Sequence, residues 1–355
     1  MQPTAAILTH GWLSTVNAKT AHGLVRGPSR YRIVGVVDHA HAGRDAGEVL
    51  DGERRGIPVY ADLEALLAGP AGRPDWCVIG IATPGGVLPP EFRALLLQAI
   101  ERGMGLVNGL HRLLGDDPEF VAAAARRGVE LVDIRRPKSR AELAFWSGAV
   151  RQVRAPRIAV LGTDCALGKR TTCQLLAQAC REGGLRAEVI YTGQTGWLQG
   201  LRYGFVLDTT PNDFVCGELE AAIVACDREA APDVILLEGQ SALRNPSGPC
   251  GAELLLAGEA RTVVLQHAPA RRYFESQEEL GNEIPPLTDE LRLLRHYRAR
   301  VLALALNHQG LAPEERAAVR DRLARSSGVP AVYPLLDGVG ELVPVVREVV
   351  ERARR

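Results

Sequence analysis

Lysine is almost missing from this sequence. Of 42 basic residues among 355, only Lys19, Lys138 and Lys169 are not arginine. A composition that uses arginine wherever either residue serves leaves lysine enriched where a compact ammonium is needed rather than a planar fork. Net charge is missing as well, because 42 acidic residues balance the 42 basic ones. That excludes a broad nucleic-acid-binding or anionic-membrane surface, though not a local basic pocket. No apolar run reaches the roughly 18 residues needed to span a bilayer. The opening MQPTAAILTHGWL lacks the basic start and apolar stretch of a signal peptide. The seven cysteines, at 77, 165, 173, 180, 216, 226 and 250, are odd in number and form no C-x-x-C pair. They fall mostly inside apolar patterns, where cysteine behaves as a small buried hydrophobe. A reducing, cytoplasmic setting is expected. Internal repeats and low-complexity segments are also absent.

What is present is alternation of apolar runs with helical patterns, and 355 residues are too many for one typical core. This predicts an α/β chain of two domains with mainly parallel sheets. TAAILTH, YRIVGVVD, GIPVYA, DWCVIGIA, GLVNGL and VELVDIR read as short buried strands of a Rossmann-like domain over 1–136. PPEFRALLLQAIERG and DDPEFVAAAARRG read as its helices, each with Pro or Asp at the start and Gly just past the end. A linker is expected over 137–156, including a helix-like stretch AELAFWSGAVRQV. RIAVL then opens a second domain over 157–355, whose later strands are RAEVIYT, DVILLEG, RTVVLQH and RVLALALN.

RIAVL runs directly into Gly162-Thr163-Asp164-Cys165-Ala166-Leu167-Gly168-Lys169-Arg170-Thr171-Thr172, and KRTTCQLLAQACREGG continues as a helix. Strand, glycine-rich loop and helix in that order are the context of a P-loop. Its backbone N–H groups and the positive helix end would cradle a polyphosphate. Lys169 would reach the terminal phosphates, and a hydroxyl just inside the helix would hold Mg²⁺. The spacing departs from G-x₄-G-K-[ST]: five residues separate Gly162 from Gly168, and Arg170 follows Lys169. The magnesium hydroxyl is therefore open between Thr171 and Thr172. The loop resembles that of dethiobiotin synthetases, G-T-D-x-x-x-G-K-T.

DVILLEG ends in Glu238 as a Walker B strand ends in a carboxylate, so Glu238 is a metal-ligand or catalytic candidate as well as an ordinary strand-end acid. Gln194, Thr195 and Gly196 follow the strand RAEVI on the edge where parallel sheets bind ligands, and Gln240 follows Glu238; these are substrate-contact candidates. Asp213 begins a helix, as an N-cap or a third magnesium ligand. Glu218 and Glu220 are expected on its solvated side. His267, closing RTVVLQH, is a catalytic or structural histidine. Asn307 ends RVLALAL; the likeness to dethiobiotin synthetase implies a contact with the nucleotide base.

The first domain lacks G-x-G-x-x-G after its first strand. Asp38 stands where a dinucleotide fold places its ribose-binding acid. Ala82-Thr83-Pro84-Gly85-Gly86 is a small-ligand loop or a plain turn. Asn108-Gly109-Leu110-His111 also lies on the binding edge, and Lys19 is a candidate carboxylate or phosphate contact.

Across its length the chain resembles the family known as domain of unknown function 1611, which joins a Rossmann-like domain to a P-loop domain. The residues carrying the likeness are AKTA (18–21), GLH (109–111), GTDCALGKRTT (162–172), GQTGW (193–197), DFVCGELE (213–220), LLEGQSAL (236–243) and LQHAP (265–269). The resemblance implies N-acyl transfer to a small acidic amino acid, since the family includes D-glutamate N-acetyltransferases. Acetyl-CoA would then be the donor, with His267 or Glu238 as base. Retention of Lys169, paired hydroxyls and Glu238 suits an ATP-Mg²⁺-dependent ligase instead. A nucleotide sensor without turnover is the third class. The expected partner is a small amino-acid substrate, without nucleic acid or membrane, and a homo-oligomer is expected.

Overall fold

The computed structural model describes residues 2–355, the side chain of Pro84 excepted. Its contacts divide the chain into two compact units, one of Met1–Pro137 with Gln194–Leu201, the other of Lys138–Gly193 with Arg202–Arg355.

In the first unit, strands β1 (Thr4–Leu8), β2 (Arg32–Val37), β3 (Val59–Tyr60), β4 (Trp76–Ile79), β5 (Gly105–Asn108) and β6 (Leu131–Asp133) form one sheet in the order β3-β2-β1-β4-β5-β6. All its pairings are parallel. A parallel sheet covered on both faces needs apolar side chains pointing both ways, which is why these strands read as continuous apolar runs. Leu8, Ile79 and Leu106 pack on one face with Phe92 and Phe120, whereas Ile7, Val78 and Val107 pack on the other with Leu24. The order reverses between β1 and β4, which is where a Rossmann sheet opens its ligand crevice.

The second unit holds β7 (Arg157–Gly162), β8 (Ala187–Tyr191), β9 (Tyr203–Gly204), β10 (Val234–Glu238), β11 (Thr262–His267), β12 (Arg300–Leu306) and β13 (Ala331–Val332), ordered β13-β12-β11-β7-β10-β8-β9. These pairings are parallel as well. β7 lies between β10 and β11, with Glu238 opposite Val160 and Gln266 opposite Gly162. That register sets the ends of three strands around the glycine-rich loop. Among the described residues, no helix is long and apolar enough to cross a membrane, and the seven cysteines are free.

Four expectations differ from the fold. The stretch 141–153 is not a helix; only Ala149–Gln152 forms a 3₁₀ turn, entered through Gly148 at φ 81°. From Lys138 on, this stretch belongs to the second unit rather than to a linker. Its backbone instead uses the carboxylates of the helix Asn212–Ala230 as acceptors: Ala144 N–H donates to Glu218 at 2.8 Å, and Ser147 and Val150 N–H donate to Glu220 at 2.6 and 3.1 Å. Glu218 and Glu220 are accordingly buried, each 4% exposed, not solvated. Finally, Gln194–Leu201 clusters with the first unit although it lies in the P-loop half of the sequence.

Candidate functional site

β7 delivers the chain to the loop 162–168, and the helix Lys169–Glu182 begins without any side-chain cap on its first N–H groups. Uncapped donors at a helix start are the arrangement that receives an anion. Gly168 turns the chain at φ 103°, a conformation costly for any residue with a Cβ. A Cβ on Gly162 would lie 3.0 Å from Lys169 Cδ, so the glycine makes room for the lysine stem. Lys169 is 6% exposed, and its Nζ donates to the Asp164 carbonyl at 2.6 Å. Burial pushes its pKa below the ordinary ammonium value, while Cys165, Asp164, Cys250 and Glu238 pull the other way.

The other loop residues divide into those that frame the site and those that tie the loop down. The Asp164 carboxylate is fully buried and accepts from Cys165 N–H at 2.6 Å, Asn245 Nδ2 at 3.1 Å, Arg271 Nη1 at 2.8 Å and Glu275 N–H at 2.8 Å. Four donors saturate it, so it anchors the loop to 245 and 271–275 instead of contacting a ligand. Thr163 donates its N–H to the Gln266 carbonyl at 3.0 Å, and its hydroxyl stands 3.0 Å from His267 Nδ1. The Thr172 hydroxyl, 1% exposed, donates to Gln266 Oε1 at 2.6 Å. Thr171 lines a small cleft with Leu167, Gln266, Asn307, His308 and Pro334. Asn307 reaches the loop itself, its Nδ2 donating to the Leu167 carbonyl at 3.2 Å. The structure therefore brings the expected base-contact residue to the side of the phosphate loop.

Glu238, 3% exposed, lies at the end of β10 and accepts from Thr192 N–H at 3.2 Å. Gln240 Nε2 donates to the Thr192 hydroxyl at 3.0 Å and approaches Glu238 Oε1 at 3.5 Å. Burial raises the Glu238 pKa, against the opposing charges of Arg170 and Lys169. Arg170 is half-buried, and burial lowers its pKa while the Glu238 charge opposes that. Burial brings His267 down to about 4.

The remaining candidates are placed elsewhere. Asp213 is exposed in the first turn of its helix, where Pro211 takes the N-cap position. The expected magnesium set of Thr171, Asp213 and Glu238 thus occupies a cleft wall, an exposed turn and a buried strand end. Gln194, Thr195 and Gly196 are buried in the short helix Gln194–Leu198 of the first unit. Gln194 Oε1 accepts from Arg135 at 3.0 Å, and Arg135 also donates to the Gly109 carbonyl. Lys19 is exposed at the start of the helix Lys19–Arg26. Asp38 is fully buried and accepts from the Thr9 hydroxyl at 2.7 Å, Gly11 N–H at 2.8 Å, Leu13 N–H at 3.0 Å and His41 at 2.8 Å. It knits its own loop and has no capacity left for a ribose. Asn108 likewise closes a turn through Leu110 N–H, the Arg112 carbonyl and Asp133. Thr83 donates to the Val87 carbonyl at 2.6 Å, closing the neighbouring loop as a turn.

Sequence reasoning missed Gln266, Asn245, Arg271 and Gln277. Gln277 donates to Asn245 Oδ1 at 3.0 Å, completing the chain of contacts from Asp164. Gln266 had a signal, as the last polar residue before His267 on an apolar strand. The other three lie in loops without any spacing that points to the P-loop.

Residues 39–137 match the model of a Rossmann-like domain of unknown function, DUF1611_N, and residues 144–343 match that of the DUF1611_C P-loop domain. The chain belongs to the DUF1611 family. This DUF1611 protein is 30% identical over 273 residues to a protein of Pseudoalteromonas named D-glutamate N-acetyltransferase, covering 75% of this chain and 79% of that one. A protein of the same name from Tritonibacter scottomollicae is 31% identical over 281 residues, 77% of this chain and 81% of its own. The crystal structure of a DUF1611 family protein from Anabaena variabilis superposes with a TM-score of 0.87 at 30% identity, covering 98% of this chain and 99% of that one.

Proposed function

We propose that this DUF1611 protein is an N-acetyltransferase that moves an acetyl group from acetyl-CoA to the amine of D-glutamate or a closely related acidic amino acid. The observation that carries the reading is a P-loop, complete with Lys169, in a chain whose relatives bear that enzyme name. In this reading the loop amides and Lys169 hold the phosphates of the coenzyme, and the cleft at Thr171 and Asn307 takes its base. The substrate ammonium first loses a proton. Its nitrogen then forms a C–N bond at the thioester carbonyl, the C–S bond breaks, and the departing coenzyme thiolate takes up the second proton that the nitrogen sheds, leaving amide and thiol. Glu238 is the base, because burial raises its pKa above the ordinary carboxylate value and so makes it a stronger proton acceptor. His267, with its pKa at about 4, is too weakly basic and positions Thr163 instead. Gln240 orients the Glu238 carboxylate.

A second reading, ATP-dependent activation of a carboxylate, draws on the Walker B-like place of Glu238 beside β7. Purified protein offered acetyl-CoA with D-glutamate, and separately ATP-Mg²⁺ with the same amino acid, separates the two. Coenzyme thiol release without ATP is expected. ADP or AMP release that depends on the amino acid would reverse the assignment, and no turnover with any supplement would leave a sensor. Lys169→Ala is expected to raise the KM for acetyl-CoA by about tenfold or more, as loss of a charged hydrogen bond to phosphate does; an unchanged KM removes the P-loop from coenzyme binding.

A further inference from the structure

We infer that Arg170 takes the place of a magnesium ion in this P-loop, so that the site selects a metal-free diphosphate, that of coenzyme A, over magnesium-bound ATP. The inference rests on the acetyl-CoA reading and deepens it. In a P-loop nucleotidase the hydroxyl after the loop lysine and the carboxylate of the neighbouring strand hold Mg²⁺ between them. Here the residue after Lys169 is Arg170, in the first turn of Lys169–Glu182. A guanidinium carries five N–H donors and no lone pair, and cannot ligate a cation.

Of the hydroxyls further along, one is committed to the protein and the other stands on a neighbouring cleft. Thr172 is buried and bonded to Gln266 at 2.6 Å. Thr171 lines the cleft shared with Asn307 and Pro334. The Asp164 carboxylate is closed by its four donors, Arg271, Asn245 and the Cys165 and Glu275 amides. Among the residues expected to hold the ion, Glu238 remains, buried at the end of β10, and the charges of Arg170 and Lys169 already favour its carboxylate. One buried carboxylate, with a guanidinium in place of the usual hydroxyl, is a poor match for the octahedral oxygen shell that Mg²⁺ demands. The residues present do not fit the ion.

They do fit a diphosphate. Lys169 supplies a point charge and Arg170 a planar fork suited to two phosphate oxygens at once. Acetyl transfer leaves the phosphates of the coenzyme intact, so no charge develops on a transferring phosphoryl group for a metal to neutralise. ATP that arrives with Mg²⁺ would set that cation against the guanidinium.

Calorimetric titration of the full chain, with coenzyme A and with ATP, each in EDTA and in excess MgCl₂, tests this without turnover. Coenzyme A is expected to bind with affinities within about twofold in the two buffers, and ATP at least about tenfold more weakly with Mg²⁺ than without. Arg170→Ala should weaken coenzyme A by about tenfold or more, as loss of a charged hydrogen bond does. Arg170→Lys should restore part of that loss, and circular dichroism of each variant shows whether it is folded. Coenzyme A binding that appears only with Mg²⁺ overturns the inference while leaving acetyl transfer standing. Unchanged affinity in a folded Arg170→Ala protein overturns it also. No coenzyme A binding in either buffer removes the acetyl-CoA reading, and the inference falls with it.

Discussion

His267 ends β11 with Nδ1 3.0 Å from the Thr163 hydroxyl, and burial lowers its pKa from 6.5 to about 4. Between those values an unfolded chain binds a proton that the native imidazole refuses. The sign follows: stability is full above about pH 6.5 and falls as the pH drops toward 4. His267→Asn removes the titrating group. Its urea midpoint should therefore fall less than that of the parent between pH 7 and pH 4.5, an equal fall meaning that other groups dominate. At pH 7 the same variant should keep more acetyl-transfer activity than Glu238→Gln, and the reverse order would make His267 the base. The sequence shows His267 at a strand end but not how deeply it is buried, and burial decides its chemistry. Asp164 is a sharper instance. Its loop is legible from local spacing, whereas its saturation depends on Asn245 and Arg271, far along the chain, where no motif marks them.

The longer elements were legible because long-range packing wrote local patterns into them. Each strand expected from an apolar run is present, since the central strands are covered on both faces. β9 and β13, of two residues each, went unread, whereas β3, equally short, was read from the apolar run GIPVYA around it. The helix Asn212–Ala230 was legible from its start at Asp213 but not in orientation, because its two glutamates look like a solvated face until the segment 138–152 covers them. A Cβ on Gly217 would lie 2.1 Å from the Ala144 carbonyl oxygen, so the helix and that segment touch backbone to backbone. Gly217→Ala should destabilise the protein by about 1–3 kcal/mol or more, the range of overpacking, read from the denaturant midpoint. Glu220→Ala should cost about 1–3 kcal/mol by leaving the buried Val150 N–H without its acceptor. The pKa of Glu220 is lowered: burial would raise it, but the Ser147 and Val150 donors outweigh that. Its contribution is thus present above the usual glutamate pKa of about 4.3 and fades as the pH falls below it. Two unaltered midpoints would mean that the segment 138–152 detaches without cost.

At the scale of the whole molecule, the sequence suggests two domains in succession, yet the first unit is completed by residues that follow β8 of the second. Leu198 is fully buried in the core that includes Ile7, Leu24 and Val36. Its carbonyl accepts from Arg30 N–H at 2.7 Å, the Trp197 carbonyl accepts from Arg30 Nε at 3.0 Å, and Gln199 donates to the Gly23 carbonyl at 2.8 Å. The Arg30 guanidinium also lies 4.2 Å above the Trp197 ring. No periodicity assigns an eight-residue stretch to a sheet that ends far earlier in the chain, and so this contact was illegible in the sequence. Leu198→Ala should cost about 2–5 kcal/mol, as core leucines do. The loss should appear in the unit of β1 to β6 rather than in the one that contains residue 198's sequence neighbours β8 and β9. Hydrogen exchange decides it. Protection should fall across β1, β2 and β4 more than across β7 and β10, because the amides of a cooperative unit open together. Loss confined to β8 and β9 would show that the stretch answers to its sequence neighbours, not to the core it fills.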